Sequence, residues 1–382
     1  MVILGSTGSI GRQAGEVVLE HPDEFNVVGL AAGSNVKAII AQAEQLSPAF
    51  ICLVDQDAAS ELKAAYSGPA KILAGNDGLS QLCAMDEADL VLNAIVGSAG
   101  LSATLAALEN HKTLALANKE SLVAAGPLVS AAVKKSCGRL LPVDSEHNAL
   151  FQCLTGEATD EVSKLILTAS GGPFWGKPEN ELSQVTPAEA LNHPRWRMGP
   201  RVTIDSATLM NKGFEVIEAH WLFDLAFERI EVIIHPQSIV HSLVEFIDGS
   251  VKAHLGPTDM RLPILYSFSW PKRLSSSLAP LDLAQIGRLE FFPADPAKAR
   301  CLGLAYEAAR LGRSYPTVLN GADEVAVDNF LRERIGFNEI GNIIDTVLER
   351  HEVVDISSLS DFESVDAWAK SEAEAVISRR GK

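Results

Sequence analysis

At 382 residues, the chain exceeds the roughly 250–300 residues beyond which a single core divides, and with 47% hydrophobic and 21% charged side chains it is neither a disordered nor a collagen-like polymer. Its net charge of −17 is spread along the chain without a basic stripe, which argues against nucleic acid or an anionic membrane as partner. The longest uncharged stretch, Leu90–Leu108, is interrupted by Asn93, Gly97, Ser98, Gly100, Ser102 and Thr104, so no membrane span is expected.

The sequence opens on Met1-Val2-Ile3 with no basic or apolar leader, so a cytoplasmic protein is expected, and the shortness of the first strand suggests a start a few residues upstream. Cys52, Cys83, Cys137, Cys153 and Cys301 form no C-x-x-C pair and read as buried thiols. Alternating apolar runs predict strands at Val2–Leu4, Asn26–Ala32, Ala49–Val54, Lys71–Leu73, Leu90–Ile95, Thr113–Ala117 and Arg139–Val143. Helical spacing such as Val36, Ile39, Ile40 and Ala43 supplies crossovers between them, which predicts an α/β domain with a doubly wound parallel sheet.

Gly5-Ser6-Thr7-Gly8-Ser9-Ile10-Gly11 follows the first strand and precedes a helix expected over 12–20. Glycines there permit a tight turn, and a helix N-terminus offers N–H groups to a pyrophosphate, so a dinucleotide is the favoured ligand; a plain structural turn is the competing reading. The spacing is G-x-x-G-x-x-G, and Ala32-Gly33-Ser34-Asn35 ends the second strand without the carboxylate that holds an NAD ribose, which favours NADP. Ala117-Asn118-Lys119-Glu120-Ser121 places polar groups at a strand C-terminal end, where ligands of open α/β sheets bind.

Asp144-Ser145-Glu146-His147-Asn148 follows the last strand of this region, and residues i and i+2 of an extended segment would turn both carboxylates to one point with Ser145 facing elsewhere. Two such oxygens suit Mg²⁺ or Mn²⁺ better than Zn²⁺, while a solvated turn is the alternative. From about residue 150 the texture changes to a mixed α+β domain. Ser170-Gly171-Gly172-Pro173-Phe174 is either a phosphate cradle or a simple turn. Thr186-Pro187-Ala188-Glu189 predicts a capped helix to about Leu191. His193-Pro194-Arg195-Trp196-Arg197-Met198-Gly199 reads as a lid with an exposed indole, or as a loop with a packed one.

A helix starting near Ser206 would offer anion-binding amides and set Asn211 and Glu215 four residues apart, with Lys212 beside them; an exposed ion pair is the alternative. Asp248-Gly249 marks a hairpin between strands at 238–247 and 250–255. Residues 274–296 read as a linker, and 297–311, 319–334, 338–350 and 361–379 as helices of a small bundle. The expected organisation is a cofactor-binding domain over 1–143, a metal- and substrate-binding catalytic domain over 144–273, a linker over 274–296 and a helical bundle over 297–382.

In order and spacing, GSTGSIG, ANKES, PVDSEHNA, SGGPF, HPRWRMG, DSATLMNKGFEVIEA and IHPQSIVHS closely resemble the 1-deoxy-D-xylulose 5-phosphate reductoisomerase family of the non-mevalonate isoprenoid pathway. The resemblance implies an NADPH-binding domain, an α+β catalytic domain and a C-terminal helical bundle, working as a homodimer on a small phosphorylated sugar. It assigns NADPH contacts to Thr7, Gly8, Ser9, Ile10, Gly33, Ser34, Asn35, Asn118, Glu120 and Gly199, and metal ligation by Mg²⁺ or Mn²⁺ to Asp144, Glu146 and Glu215. Substrate contacts fall on Lys119, Ser145, Glu146, Ser170, His193, Ser206, Asn211, Lys212 and Glu215, with Ser170, Ser206, Asn211 and Lys212 on the phosphate. Trp196 and Met198 match the mobile flap.

The family reaction resembles cleavage and rejoining of the C3–C4 bond to an aldehyde, which NADPH reduces to 2-C-methyl-D-erythritol 4-phosphate, with Lys119 stabilising charge on oxygen. Where some members carry a basic residue at the position of Ser34, the nearest lysine here is Lys37, which would loosen discrimination against NAD. Two rival classes remain at this level. A different NADP-dependent reductase would have no use for the carboxylates, and an NADP-sensing regulator would lack the polar strand ends.

Overall fold

The computed structural model describes residues 1–295 and 299–380. The end of the expected linker at 296, the start of the following helix at 297–298 and the C-terminal pair 381–382 lie outside the described residues. The chain divides into two compact units. The first comprises Met1–Ser121, Val129–Asn148 and Asp259–Ser277; the second holds the rest of the described chain, including Leu122–Leu128 and Ala149–Thr258.

The first unit is built on seven parallel strands, β1 Val2–Leu4, β2 Gly29–Ala32, β3 Phe50–Leu53, β4 Lys71–Ala74, β5 Leu90–Asn93, β6 Thr113–Leu116 and β7 Leu140–Pro142. Their order is β4-β3-β2-β1-β5-β6-β7, so the sheet is the doubly wound one expected, and its order reverses between β1 and β5. Helices α1 Ser9–Glu20, α2 Val36–Leu46, α3 Gln56–Ala65, α4 Gly75–Ala84 and α5 Leu101–Glu109 are crossovers between successive strands. Near-continuous Val, Ile and Leu runs suit strands covered on both faces, and Ile3, Leu30, Ile51 and Leu92 are fully buried.

After β6 come α6 Lys119–Lys135, interrupted at Ala125 two residues before Pro127, and, beyond β7, α7 Ser145–Leu154. Proline inside a helix removes a hydrogen bond and clashes with the preceding turn, which accounts for the kink.

A segment expected in the catalytic domain folds with this unit. Helix α12, Arg261–Ser269, sends Ile264, Leu265 and Phe268 into the core that holds Ile3, Ala14 and Val17. Arg261 is paired with Asp259 at 2.7 Å and with Glu16 of α1 at 3.7 Å. The Ser277 N–H donates to Glu20 at 2.7 Å, so the first residues of the expected linker are fastened here as well.

The second unit contains a mixed sheet in the order β11-β10-β8-β9-β12. Its strands are β8 Val162–Ala169, β9 Ile230–Ile234, β10 Val240–Phe246, β11 Val251–Leu255 and β12 Phe292–Pro293. The β10–β11 hairpin turns at Gly249, whose φ of 83° needs glycine. Short helices α8 Glu179–Leu182 and α9 Pro187–Ala190 precede α10 Pro200–Thr208 and α11 Met210–Phe223. The capping box of Thr186 and Glu189 is formed as expected.

The expected linker is not structureless, because it carries α13 Leu283–Ile286 and the edge strand β12 paired with β9. Helices α14 Arg300–Leu311, α15 Tyr315–Leu331, α16 Glu339–Glu349 and α17 Leu359–Arg380 complete the chain. They cluster with the second unit and form no separate one; Leu302 of α14 lies in the core beneath β8 and β9. Among the described residues, no helix is long and apolar enough to cross a membrane. Of the five cysteines four are buried and Cys137 is exposed, which corrects that expectation at one position.

Candidate active site

In the first unit the glycine turn sits at the switch point of the sheet, where open α/β folds bind ligands. Gly5 has a φ of +73°, and a Cβ on it would come within 2.3 Å of the Ala94 carbonyl oxygen. A Cβ on Gly11 would meet the Gly5 carbonyl at 2.4 Å, so α1 packs directly on the turn. The helix begins at Ser9, earlier than expected, because the extended Gly8 accepts the Arg12 N–H at 3.0 Å and serves as the cap. No side chain caps this end, the arrangement in which helix N-terminal amides are left to hold an anion. Thr7, Ser9 and Ile10 are half-buried and Gly8 is exposed. At the end of β2, Gly33, Ser34 and Asn35 are exposed, and Asn35 caps α2 by accepting the Ala38 N–H at 3.0 Å.

Two residues assigned to the cofactor are turned inward. Asn118 donates to the carbonyls of Ile95 and Gly97 at 2.7 and 2.9 Å, and Glu120 accepts the Gly97 N–H at 3.0 Å. Both are buried, and their side chains brace the loop after β5. No signal in the sequence distinguishes this bracing from direct contact with a ligand.

The D-x-E carboxylates are not i and i+2 of a strand. Helix α7 starts at Ser145, the Asp144 carbonyl accepts the Asn148 N–H at 2.8 Å, and Glu146 lies in the first turn, where a negative charge is favoured. Asp144 and Glu146 nevertheless bring carboxylate oxygens within 4.8 Å of each other. Ser145 donates to Glu146 at 2.5 Å, so it faces its neighbour and not away from it. Lys119, at the start of α6, is ion-paired with Asp144. Asn148 anchors the start of α7 by donating to the Pro142 carbonyl at 2.9 Å and to Ser267 at 3.1 Å.

In the second unit, the 205–215 segment is not one helix. Leu209 is left-handed, with φ 63°, and separates α10 from α11. Ser206 therefore sits in the last turn of α10 and cannot supply helix N-terminal amides; those belong to Met210, Asn211 and Lys212. Asn211 donates to Glu215 at 2.5 Å, and Lys212 is ion-paired with Glu215. Lys212 and Glu215 are 4% and 1% exposed, which removes the reading of a solvated surface pair.

Ser170 follows β8, and Gly171 and Gly172 take φ values of +84° and +70°, the left-handed side that glycine adopts without strain. A Cβ on Gly172 would come within 2.7 Å of the Ser206 carbonyl, so the loop lies against the end of α10. His193 Nε2 is 3.0 Å from the Ser170 hydroxyl. Trp196 is half-buried, with its indole 6.2 Å from the His241 ring, which corrects the expectation of an exposed indole. Arg195 donates to the Pro236 carbonyl at 3.1 Å, and Gly199 caps α10 just beyond Met198.

A strand-end glycine cradle in one unit and a hydroxyl-amide-ammonium set in the other define the class: a dinucleotide-dependent enzyme acting on an anionic substrate. The family description "1-deoxy-D-xylulose 5-phosphate reductoisomerase" matches residues 1–126, and its two C-terminal domain descriptions match 140–223 and 255–372. The reductoisomerase of Geobacillus sp. (strain WCH70) is 52% identical over 366 residues, covering 96% of both chains, and that of Thermodesulfovibrio yellowstonii is 49% identical with 99% of both covered. Among solved structures, the Zymomonas mobilis enzyme in complex with NADPH is 41% identical with a TM-score of 0.92, covering 98% of both chains. A complex of DOX-P reductoisomerase with NADPH, fosmidomycin and magnesium is 40% identical with a TM-score of 0.94, over 100% of this chain and 98% of that one. The chain belongs to the 1-deoxy-D-xylulose 5-phosphate reductoisomerase family.

Proposed function

We propose that the chain is an NADPH-dependent oxidoreductase that rearranges and reduces 1-deoxy-D-xylulose 5-phosphate to 2-C-methyl-D-erythritol 4-phosphate with Mg²⁺ or Mn²⁺. The observation that carries this reading is similarity along nearly the whole chain to enzymes of that name, together with an intact glycine turn and an intact 206–215 elbow. The residues fit both groups: Gly5 and Gly11 let the turn and α1 pack backbone to backbone under an α1 N-terminus that no side chain caps, and Asp144 and Glu146 are hard-oxygen donors close enough to share one ion. When bound, the cation acts as a Lewis acid on ketone and hydroxyl oxygens and the dinucleotide is the hydride donor.

In this reading Asp144, Glu146 and Glu215 hold the cation. Thr7, Gly8, Ser9, Ile10, the exposed Gly33, Ser34 and Asn35, and Gly199 take the dinucleotide. Asn118 and Glu120 act on it through the loop they brace. Ser170, Ser206, Asn211 and Lys212 hold the phosphate, which lends orientation far from the reacting carbons. Lys119, Ser145 and His193 complete the substrate contacts, and the Lys119 ammonium, held by Asp144, stabilises negative charge growing on a substrate oxygen. Trp196 and Met198 close over the site and exclude water. The enzyme works as a cytoplasmic homodimer, a state that light scattering of the purified protein tests.

The direct test follows nicotinamide absorbance with NADPH, Mg²⁺ and deoxyxylulose phosphate. Consumption that needs all three supports the assignment. Oxidation indifferent to added or chelated metal points to another reductase, and cofactor binding without turnover points to a sensor.

A further inference from the structure

Helix α10 has a functional residue at each end. It starts beside Gly199 of the flap and carries Ser206 in its last turn, so any shift of the helix moves both. Arg201 is the cation that fastens it to the C-terminal helices, beside side-chain hydrogen bonds of Asp205 with Asp323 and of Thr208 with Cys301. The Arg201 guanidinium donates to Asn320 Oδ1 at 2.9 Å and lies 3.3 Å from Asp323 and 3.2 Å from Glu324, all on α15, with Asp205 of its own helix at 3.7 Å.

Asn320 and Asp323 are completely buried and Asp205 nearly so, which shields this grip from water. Burial pushes the Asp323 carboxyl up to about 6, and Arg201 offsets part of that rise. Lys370 of α17 pairs with Glu324 at 3.1 Å and with Asp366 at 2.9 Å, and Cys301 of α14 lies within the field of Asp323. At the other end of α10 the Ser206 carbonyl is packed so closely on Gly172 that a single Cβ would not fit between them. The phosphate loop therefore takes its spacing from where α10 is held.

We propose that Arg201 is a positioning residue for the phosphate subsite: by tying α10 to α15 it sets the place of Ser206 against Ser170, Gly171 and Gly172. The inference rests on the reading that Ser206 binds the substrate phosphate. It gives the C-terminal helices a part in substrate affinity.

The test is a double-mutant cycle of Arg201→Gln and Ser206→Ala, read as KM for deoxyxylulose phosphate, competitive inhibition by inorganic phosphate, kcat and NADPH affinity. Because Arg201→Gln leaves the buried Asp205 and Asp323 carboxylates without their cation, the same cycle is run on Arg201→Gln combined with Asp323→Asn, which removes the deeper of the two charges as well. Each perturbation alone should raise KM roughly tenfold, the scale of one hydrogen bond to a charged group, and the combination should raise it little further. NADPH affinity should stay near that of the unmodified protein. Effects that multiply, an unchanged KM in the Arg201 variants or an equal loss of NADPH affinity would overturn the proposal. Should Ser206→Ala itself leave KM unchanged, the phosphate assignment falls and the inference with it, an outcome distinct from multiplying effects.

Discussion

Ser170 and His193 stand 3.0 Å apart, hydroxyl oxygen to Nε2, and the other ring nitrogen decides which of them donates. His193 Nδ1 accepts the backbone N–H groups of Arg195 and Trp196 at 3.2 and 2.8 Å, so the proton of the neutral ring is on Nε2 and points at Ser170. The same hydroxyl oxygen accepts the Gly172 N–H at 3.1 Å. With two bonds accepted, its own O–H proton is left to donate, as a phosphate oxygen requires. One imidazole thus folds the 193–196 segment and orients the Ser170 hydroxyl.

This arrangement needs neutral His193, and burial holds its pKa below the usual histidine value. The sign follows. A lowered folded-state pKa means the arrangement is complete above the unfolded value of about 6.5 and is lost as pH falls through the folded one, when a proton on Nδ1 displaces both amides. His193→Gln, which can still reach Ser170 but cannot accept those amides, should raise KM most at pH 7.5, and the ratio to the unmodified enzyme should shrink toward one in acid. KM profiles for both proteins from pH 5.5 to 8 provide the check, since the phosphate's own titration is common to them. A ratio independent of pH would rule the arrangement out.

Glu215→Gln should keep the fold but weaken the dependence on Mg²⁺ and lower kcat. The burial of Lys212 and Glu215 adds a second expectation, a lower melting temperature, because the ammonium loses its partner in a site that excludes water, at a cost of up to about 3–5 kcal/mol. Turnover against Mg²⁺ concentration, alongside thermal unfolding, separates the effects. Reduced stability with unaltered metal dependence and full turnover would remove Glu215 from the metal set.

Gly5→Ala and Gly8→Ala should differ sharply. At Gly5 the positive φ and the 2.3 Å approach to Ala94 both oppose a Cβ, whereas at Gly8 φ is negative and the nearest atom is 3.2 Å away. The first substitution should cost about 1–3 kcal/mol of stability and most of the NADPH affinity, the second much less of either. Denaturant unfolding and fluorescence titration with NADPH test this, and equal losses would contradict it.

NADPH should be preferred over NADH, because no carboxylate stands at Gly33-Ser34-Asn35 to take a ribose hydroxyl or repel a 2′-phosphate. Ser34→Asp should narrow or reverse the ratio of kcat/KM values. Asn35→Ala should instead cost about 1 kcal/mol of stability through the lost cap of α2. A preference for NADH in the unmodified enzyme would refute the reading.

The expected strands of the first unit end within three residues of those observed, with β1 coinciding at both ends, and the 186–189 capping box is present as read. These features depend on neighbours a few residues apart, where the period of apolar residues and the chemistry of caps act directly. The glycine turn was legible for the same reason. The fall of Asn211, Lys212 and Glu215 on one helix was equally legible, since spacings of three and four residues define a helix face.

Other features were decided by residues far apart in the chain. The left-handed Leu209 splits what periodicity presents as one helix and moves Ser206 from a helix start to a helix end. Residues 261–269 have the pattern of a helix for any core, and only packing on Ile3 and Ala14 assigns them to the first unit. Arg201 meets partners 119 to 123 residues away, so nothing local distinguishes it from a solvated arginine. Periodicity and capping carry information over about one helical turn, whereas burial and ion pairing are set by which segments meet once loop-closure entropy has been overcome. The sequence by itself therefore determined the elements, the turn chemistry and the kinds of residue available for catalysis; the tertiary structure alone decided which of those side chains stay exposed, which brace a loop and which are sealed in a buried pair.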